Sequence, residues 1–158
     1  SKVNAYKKQY DLLICRGKYI DHKSQKIMRN SNFFKNKFQI SLNKEMFRKS
    51  LFLGMTPPHQ ATFFNKNAFD KLSSFSENLK LASDLDYFLK FSCIDNISVL
   101  VIDNELVYMS NNGVSSKKVF LRFREVFNSY KNIFGIFFFV PYTLRYIRRI
   151  LVKIFKIG

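Results

Sequence analysis

Hydrophobic and polar positions divide the chain into segments of distinct period. Asp11 to Ile20, DLLICRGKYI, opens as an apolar run and passes into alternation, which predicts a β-strand. Gln25 to Arg29 is its expected hairpin partner, across the turn-like Asp21-His22-Lys23-Ser24. From Asn30 to Ser50 the chain is basic and polar with scattered Phe and Leu, and a short helix is expected over Asn43 to Ser50 with Met46 and Phe47 turned inward. Thr56-Pro57-Pro58 stops any helix, because proline restricts its own φ and the conformation of its predecessor. That delivers His59 to the start of a predicted strand, Gln60 to Asn65. A short helix over Asn67 to Leu72, an irregular turn and a helix from Ser83 to Ser92 follow. Ile97 to Ile102, ISVLVI, reads as a buried strand. A turn at Asp103-Asn104 then leads to a strand over Glu105 to Met109.

Lys117 to Lys131 has helical period, with Val119, Phe123, Val126, Phe127 and Tyr130 forming one apolar stripe that suits core packing. The last segment differs in kind. No charge occurs between Lys131 and Arg145, and Ile136 to Val140 is almost wholly aromatic and aliphatic. Crossing a bilayer takes about 20 apolar residues, and Pro141 interrupts this run. Arg145, Arg148, Arg149, Lys153 and Lys156 then fall on one side of a helix, with Tyr146, Ile147, Leu151 and Ile154 over the other. Behind Phe137, Phe138 and Phe139, this pattern is expected of a helix lying on an anionic membrane surface. Packing on another part of the protein, or on a second copy, is the competing reading.

The length of 158 residues bounds the chain to about one domain, and 47% hydrophobic with 17% aromatic residues argues for a packed core. The formal charge of +16 calls for an anionic partner: nucleic acid, an acidic membrane surface or a phosphorylated substrate. Lys35, Lys37, Lys44, Arg48 and Lys49 make one basic, aromatic-interleaved stretch, although no zinc, RNA-recognition or helix-turn-helix signature accompanies it. No specific nucleic acid is therefore expected. Cys15 and Cys93 stand far apart in apolar surroundings and are expected to be buried thiols, in keeping with a reducing compartment. His22 lacks a second ligand at metal-binding spacing.

The chemistry is expected between His59 and Phe91. Ser83 is a credible N-cap, and Asp86 three residues on completes a capping-box-like S-x-x-D. Asp84 and Asp86 also complement the helix dipole, a purely structural role that the spacing alone permits. Residues i and i+2 of a helix point about 200° apart, so the two carboxylates suit neither a shared-proton dyad nor a metal clamp. One of them suits a single general base.

His59-Gln-Ala-Thr-Phe-Phe64, a short helix, the turn Ser74-Phe-Ser-Glu-Asn-Leu79 and Ala82-Ser-Asp-Leu-Asp-Tyr-Phe-Leu-Lys90 together resemble the acceptor half of family 2 glycosyltransferases. The bacterial branch that builds capsule, O-antigen or exopolysaccharide units is the nearest in pattern. Asn112-Gly-Val-Ser115, followed by a basic helix with Glu125, adds to the resemblance, which covers Tyr10 to Tyr130. Ser83 stands where many members carry Glu, and Ser74 where many carry Gly.

The resemblance implies an α/β fold: part of a GT-A-like nucleotide-diphospho-sugar transferase, a mixed sheet with flanking helices, plus the C-terminal amphipathic helices. Residues 1–131 would be the C-terminal part of that domain, and 132–158 a membrane-associating tail. It implies inverting sugar transfer from a nucleotide-sugar donor to a glycan or lipid-linked acceptor hydroxyl, with Asp84 as base and with His59, Gln60 and Asp86 binding substrate. The site would lie in the cytoplasm, against the inner face of a bacterial plasma membrane. A divalent cation, Mg or Mn, is expected in the complete enzyme, but its D-x-D motif is not found before His59. On this reading roughly a hundred further residues would precede Ser1, and the chain alone would be inactive. The alternative is a non-enzymatic basic protein that binds anionic membrane or nucleic acid.

Overall fold

A computed structural model describes residues 9–21, 27–34, 39–72, 75–110 and 118–154. The elements are β1 (Leu12–Ile20), β2 (Ile27–Ser31), β3 (Ile40–Leu42), α1 (Lys44–Phe52), β4 (Thr62–Phe64), α2 (Lys66–Lys71), α3 (Ser83–Phe91), β5 (Val99–Ser110), α4 (Val119–Phe134) and α5 (Phe139–Ile154). Short 3₁₀ turns at His59–Ala61 and Gly135–Phe138 precede β4 and α5. The chain is thus α/β with a mixed sheet and flanking helices.

The sheet is built around β1 because its first four residues are apolar on both faces. Successive side chains of a strand point to opposite sides. Leu12 and Ile14 enter the main core, while Leu13 and Cys15 enter a smaller cluster on the other face. β5 repeats the division, with Val99 and Val101 on the helical side and Leu100 and Ile102 opposite. The two strands run parallel. β3 pairs antiparallel with β5, and β2 and β4 pair antiparallel with β1. Asp11 locks the entrance of this pair, its carboxylate accepting the Ser98 backbone N–H at 2.9 Å and the Ser98 hydroxyl at 3.1 Å.

Helices cover one face. Phe47 and Leu51 of α1, Leu85, Phe88, Leu89 and Phe91 of α3, and Val126 and Tyr130 of α4 meet in the main core. Each fully buried side chain of this size contributes about 1.5–3 kcal/mol by leaving water. Gly54 lets the end of α1 approach α5: its φ is +76°, and a Cβ there would stand 2.5 Å from the Arg145 backbone nitrogen. Phe134, Phe138, Tyr142 and Tyr146 pack against the same core, so the C-terminal segment joins it rather than trailing from it.

Several expectations change. The predicted turn at Asp103-Asn104 is absent, and β5 runs unbroken from Val99 to Ser110. Its surplus residues are absorbed as irregularities in register against Ile14, Arg16 and Gly17. Asp103 pairs with Arg16, and Glu105 with Lys18 at 2.5 Å, so these acids serve the strand instead of ending it. Phe47 is buried as expected, but Met46 is exposed, and so is Cys93. The strand expected from Gln60 begins only at Thr62. The basic stretch is dispersed: Lys44 pairs with Asp95 at 2.5 Å, and Arg48 lies 5.0 Å from the Phe134 ring centroid. His22, Lys35, Lys37 and Asn112 to Ser115 lie outside the described residues.

Candidate functional site

Pro57 and Pro58 bring the chain extended into the 3₁₀ turn that carries His59. Pro58 closes that turn through its carbonyl, which accepts the Ala61 N–H and the Thr62 hydroxyl, both at 2.9 Å. The turn sets His59 opposite the first turn of α3, where His59 Nδ1 lies 3.0 Å from Asp84 Oδ2. Both side chains stay reachable, 54% and 35% exposed. The other Asp84 oxygen accepts the Leu85 N–H at 2.8 Å. Gln60, next to His59, is exposed.

The pair shifts both titrations. The hydrogen bond to Asp84 raises His59 above its ordinary value of 6.5; partial burial opposes this and the carboxylate's charge adds to it. Burial pulls Asp84 upward, but the His59 hydrogen bond and charge, the Leu85 N–H and the Arg145 charge outweigh it, leaving Asp84 below the ordinary carboxylate value.

Asp86 is directed elsewhere, as the 200° separation demands. Its carboxylate is buried, accepts the Ser76 hydroxyl at 2.7 Å and pairs with Lys90 at 2.8 Å. Lys90 also donates to Ser76 at 2.6 Å. This triad ties the preceding loop to α3 and engages Asp86, expected to bind substrate, away from the His59–Asp84 pair. The two acids therefore do not converge on a cation. Among the described residues, no three His, Cys, Asp or Glu side chains gather as a metal site.

The expected Ser83 cap is also replaced. Ala82 occupies the N-cap position, with no side-chain cap bond at the start of the helix. Glu125, reaching across from α4, instead holds the loop that leads into the helix, up to and including the N-cap residue. Its buried carboxylate takes the Lys80 N–H at 3.0 Å, the Leu81 N–H at 2.7 Å and the Ala82 N–H at 2.9 Å. Three charge-assisted bonds to consecutive amides fix where α3 begins, and hence where Asp84 stands. The sequence signal was an acid in the middle of an amphipathic, otherwise basic helix, noticed through the resemblance alone.

The membrane residues divide. Phe137 and Phe139 are exposed, as is Arg148. Phe138 packs on Phe127, with centroids 4.6 Å apart. Arg145, expected to face lipid, is instead only 6% exposed and donates to the Thr56 hydroxyl. It is drawn inward because Gly54 lets α5 dock there and because the Asp84 carboxylate lies within its field. Arg149 is exposed, its guanidinium 5.9 Å from the Tyr146 ring centroid. Lys153 falls within α5, but its side chain is outside the description. Phe139, Ile147, Ile150 and Ile154 recur at helical spacing along the exposed side.

No protein-family model and no curated protein matches this chain.

Glu125→Ala is expected to cost about 3 kcal/mol or more in chemical denaturation, since it strands three amides near the core. Glu125→Gln should cost less, because the amide oxygen still serves two of them; equal losses would contradict the clamp. In a proton NMR titration, His59 should titrate above 6.5 and fall toward or below that value in Asp84→Asn. The part of the pair's stability that depends on the His59 charge is complete below pH 6.5 and fades as pH rises through the raised value. An unshifted His59 in the wild-type chain would show that the pair does not form in solution.

Proposed function

We propose that this chain is the acceptor side of a family 2-like glycosyltransferase with a GT-A-like fold, acting in bacterial cell-surface polysaccharide synthesis. One observation carries the reading: a reachable carboxylate at the start of α3 held against a histidine, in the order and spacing that the motif resemblance assigns to the base. Asp84 accepts the proton of an acceptor hydroxyl as that oxygen attacks the anomeric carbon of a nucleotide sugar. The new C–O bond forms while the bond to the nucleoside diphosphate breaks, and the proton stays on Asp84. With Asp86 consumed by Lys90 and Ser76, a single base and a single displacement fit better than a two-carboxylate scheme. The configuration at the anomeric carbon therefore inverts.

His59 sets the basicity of Asp84 and, with Gln60, borders the acceptor. A protonated His59 depresses the carboxylate's affinity for a proton, so the base strengthens once His59 becomes neutral. A divalent cation would stabilise the departing diphosphate through ligands supplied by the donor-binding half.

The same reading places the enzyme peripherally at the cytoplasmic face of the plasma membrane. No helix among the described residues is long and apolar enough to cross a membrane. Support comes from the exposed row Phe137, Phe139, Ile147, Ile150 and Ile154 beside Arg148 on a chain of net charge +16.

In the complete enzyme, Asp84→Asn should lower transfer about 10²–10⁴-fold with donor binding and folding intact. Near-normal turnover would refute the assignment. kcat should rise with pH through a value above 6.5, and His59→Gln should abolish that limb. Vesicles containing anionic lipid should carry the protein upward in a flotation gradient, and the double variant Phe137→Ser with Phe139→Ser should remain behind. Equal flotation of the two proteins would place the contact elsewhere.

A further inference from the structure

The His59–Asp84 pair joins two segments that are held from different sides. Glu125 fixes the chain entering α3, while the turn that carries His59 runs between the end of α1 and β4. At the end of α1 the Gly54 N–H donates to the Leu51 carbonyl at 3.0 Å and the Met55 N–H to the Ser50 carbonyl at 3.1 Å. Farther on, Pro57 and Pro58 have no N–H to donate. A side chain ties this stretch to the helices instead. Arg145 of α5 donates through Nη1 to the Thr56 hydroxyl, 89 positions away in sequence.

That tie is built into the packing of α5. Gly54 stands against the Arg145 backbone, where a Cβ would lie 2.5 Å from its nitrogen and 2.7 Å from its Cα. The Arg145 side chain therefore enters beside the start of the turn and is buried there. An enclosed guanidinium is tolerated only with partners. Its Nε has none among the described residues, so the Thr56 hydroxyl supplies a hydrogen bond and Asp84 an opposite charge. Thr56 leads through Pro57-Pro58 to His59. Proline fixes its own φ and restricts its predecessor, so a shift of Thr56 passes on to His59 with little backbone freedom to absorb it. We propose that Arg145 is a positioning residue which, through the Thr56 hydroxyl, holds the His59 turn within hydrogen-bond reach of Asp84. Its consequence for catalysis rests on the glycosyl-transfer reading, but the tie itself does not.

Proton NMR titration of His59 in the full chain tests it. The charges that act on the pair are those of His59, Asp84 and Arg145. Thr56→Val removes the hydroxyl at nearly the same shape and leaves all three charges in the chain. His59 should then lose most of its elevation over 6.5. Thr56→Ser keeps the hydroxyl and should retain the wild-type value. Arg145→Met deletes a positive charge, which by itself would raise His59 further. Loss of position instead lowers it toward 6.5, so the sign of the shift separates a positioning role from a purely electrostatic one. An unchanged value in Thr56→Val would overturn the proposal, as would an equal fall in Thr56→Ser or a rise in Arg145→Met. Should Arg145→Met fail to fold, the two Thr56 variants decide alone. The titration needs no turnover. A chain without transfer activity would therefore count against the catalytic reading, and a normal His59 in Thr56→Val against this one.

Discussion

One buried carboxylate sets the geometry on which the rest depends. Helix α3 begins at a position where its own sequence offers no side-chain cap, and Glu125 of α4 fixes the chain entering it by taking the consecutive amides of Lys80, Leu81 and Ala82. Unsatisfied amides at a buried helix start are costly, so this contact ties α4 to α3 at a single register. Asp84 then falls opposite the proline-fixed turn of His59, and Asp86 falls into the Ser76–Lys90 triad. Two acids two residues apart thereby acquire different tasks without any change in their chemistry.

The sheet has a comparable constraint in β1, which is apolar on both faces and pairs along both edges. Its parallel neighbour β5 is longer than the register requires, and the excess appears as irregular pairing rather than as a turn. The ion pairs Arg16–Asp103 and Lys18–Glu105 hold the polar part of β5 alongside β1. Local composition read Asp103-Asn104 as a break because turn propensity is a property of neighbours in sequence, whereas these residues answer to partners some 87 positions away.

Elements with strong periodicity were legible: β1, its hairpin partner, α3, α4 and the buried start of β5 all lie near their expected places. The Asp84/Asp86 divergence was legible too, since it follows from helix geometry alone. Less legible was anything fixed by long-range contact. Ser83 looked like a cap because the motif is local, but the helix starts one residue earlier, the Leu85 and Asp86 amides are met by Asp84 Oδ1 and the Ala82 carbonyl, and the Ala82 amide is held by a residue 43 positions on. The Arg145 side of α5 looked like a lipid-facing surface because an amphipathic helix does not declare which side meets the protein. Close approach at Gly54 and the Asp84 charge turn Arg145 inward, leaving Phe139, Ile147, Ile150 and Ile154 outside. That inversion joins the proposed membrane contact to the proposed site, because the helix that would rest on lipid also carries Arg145, whose charge acts on Asp84.

The most direct test of the proposed base-assisted displacement at Asp84 is the anomeric configuration of the linkage formed in the transfer reaction, read by proton NMR of the product against the donor sugar. A single base on the acceptor side demands inversion. Retention of the donor's configuration, or a nucleotide sugar consumed without any linkage to an acceptor, would contradict it.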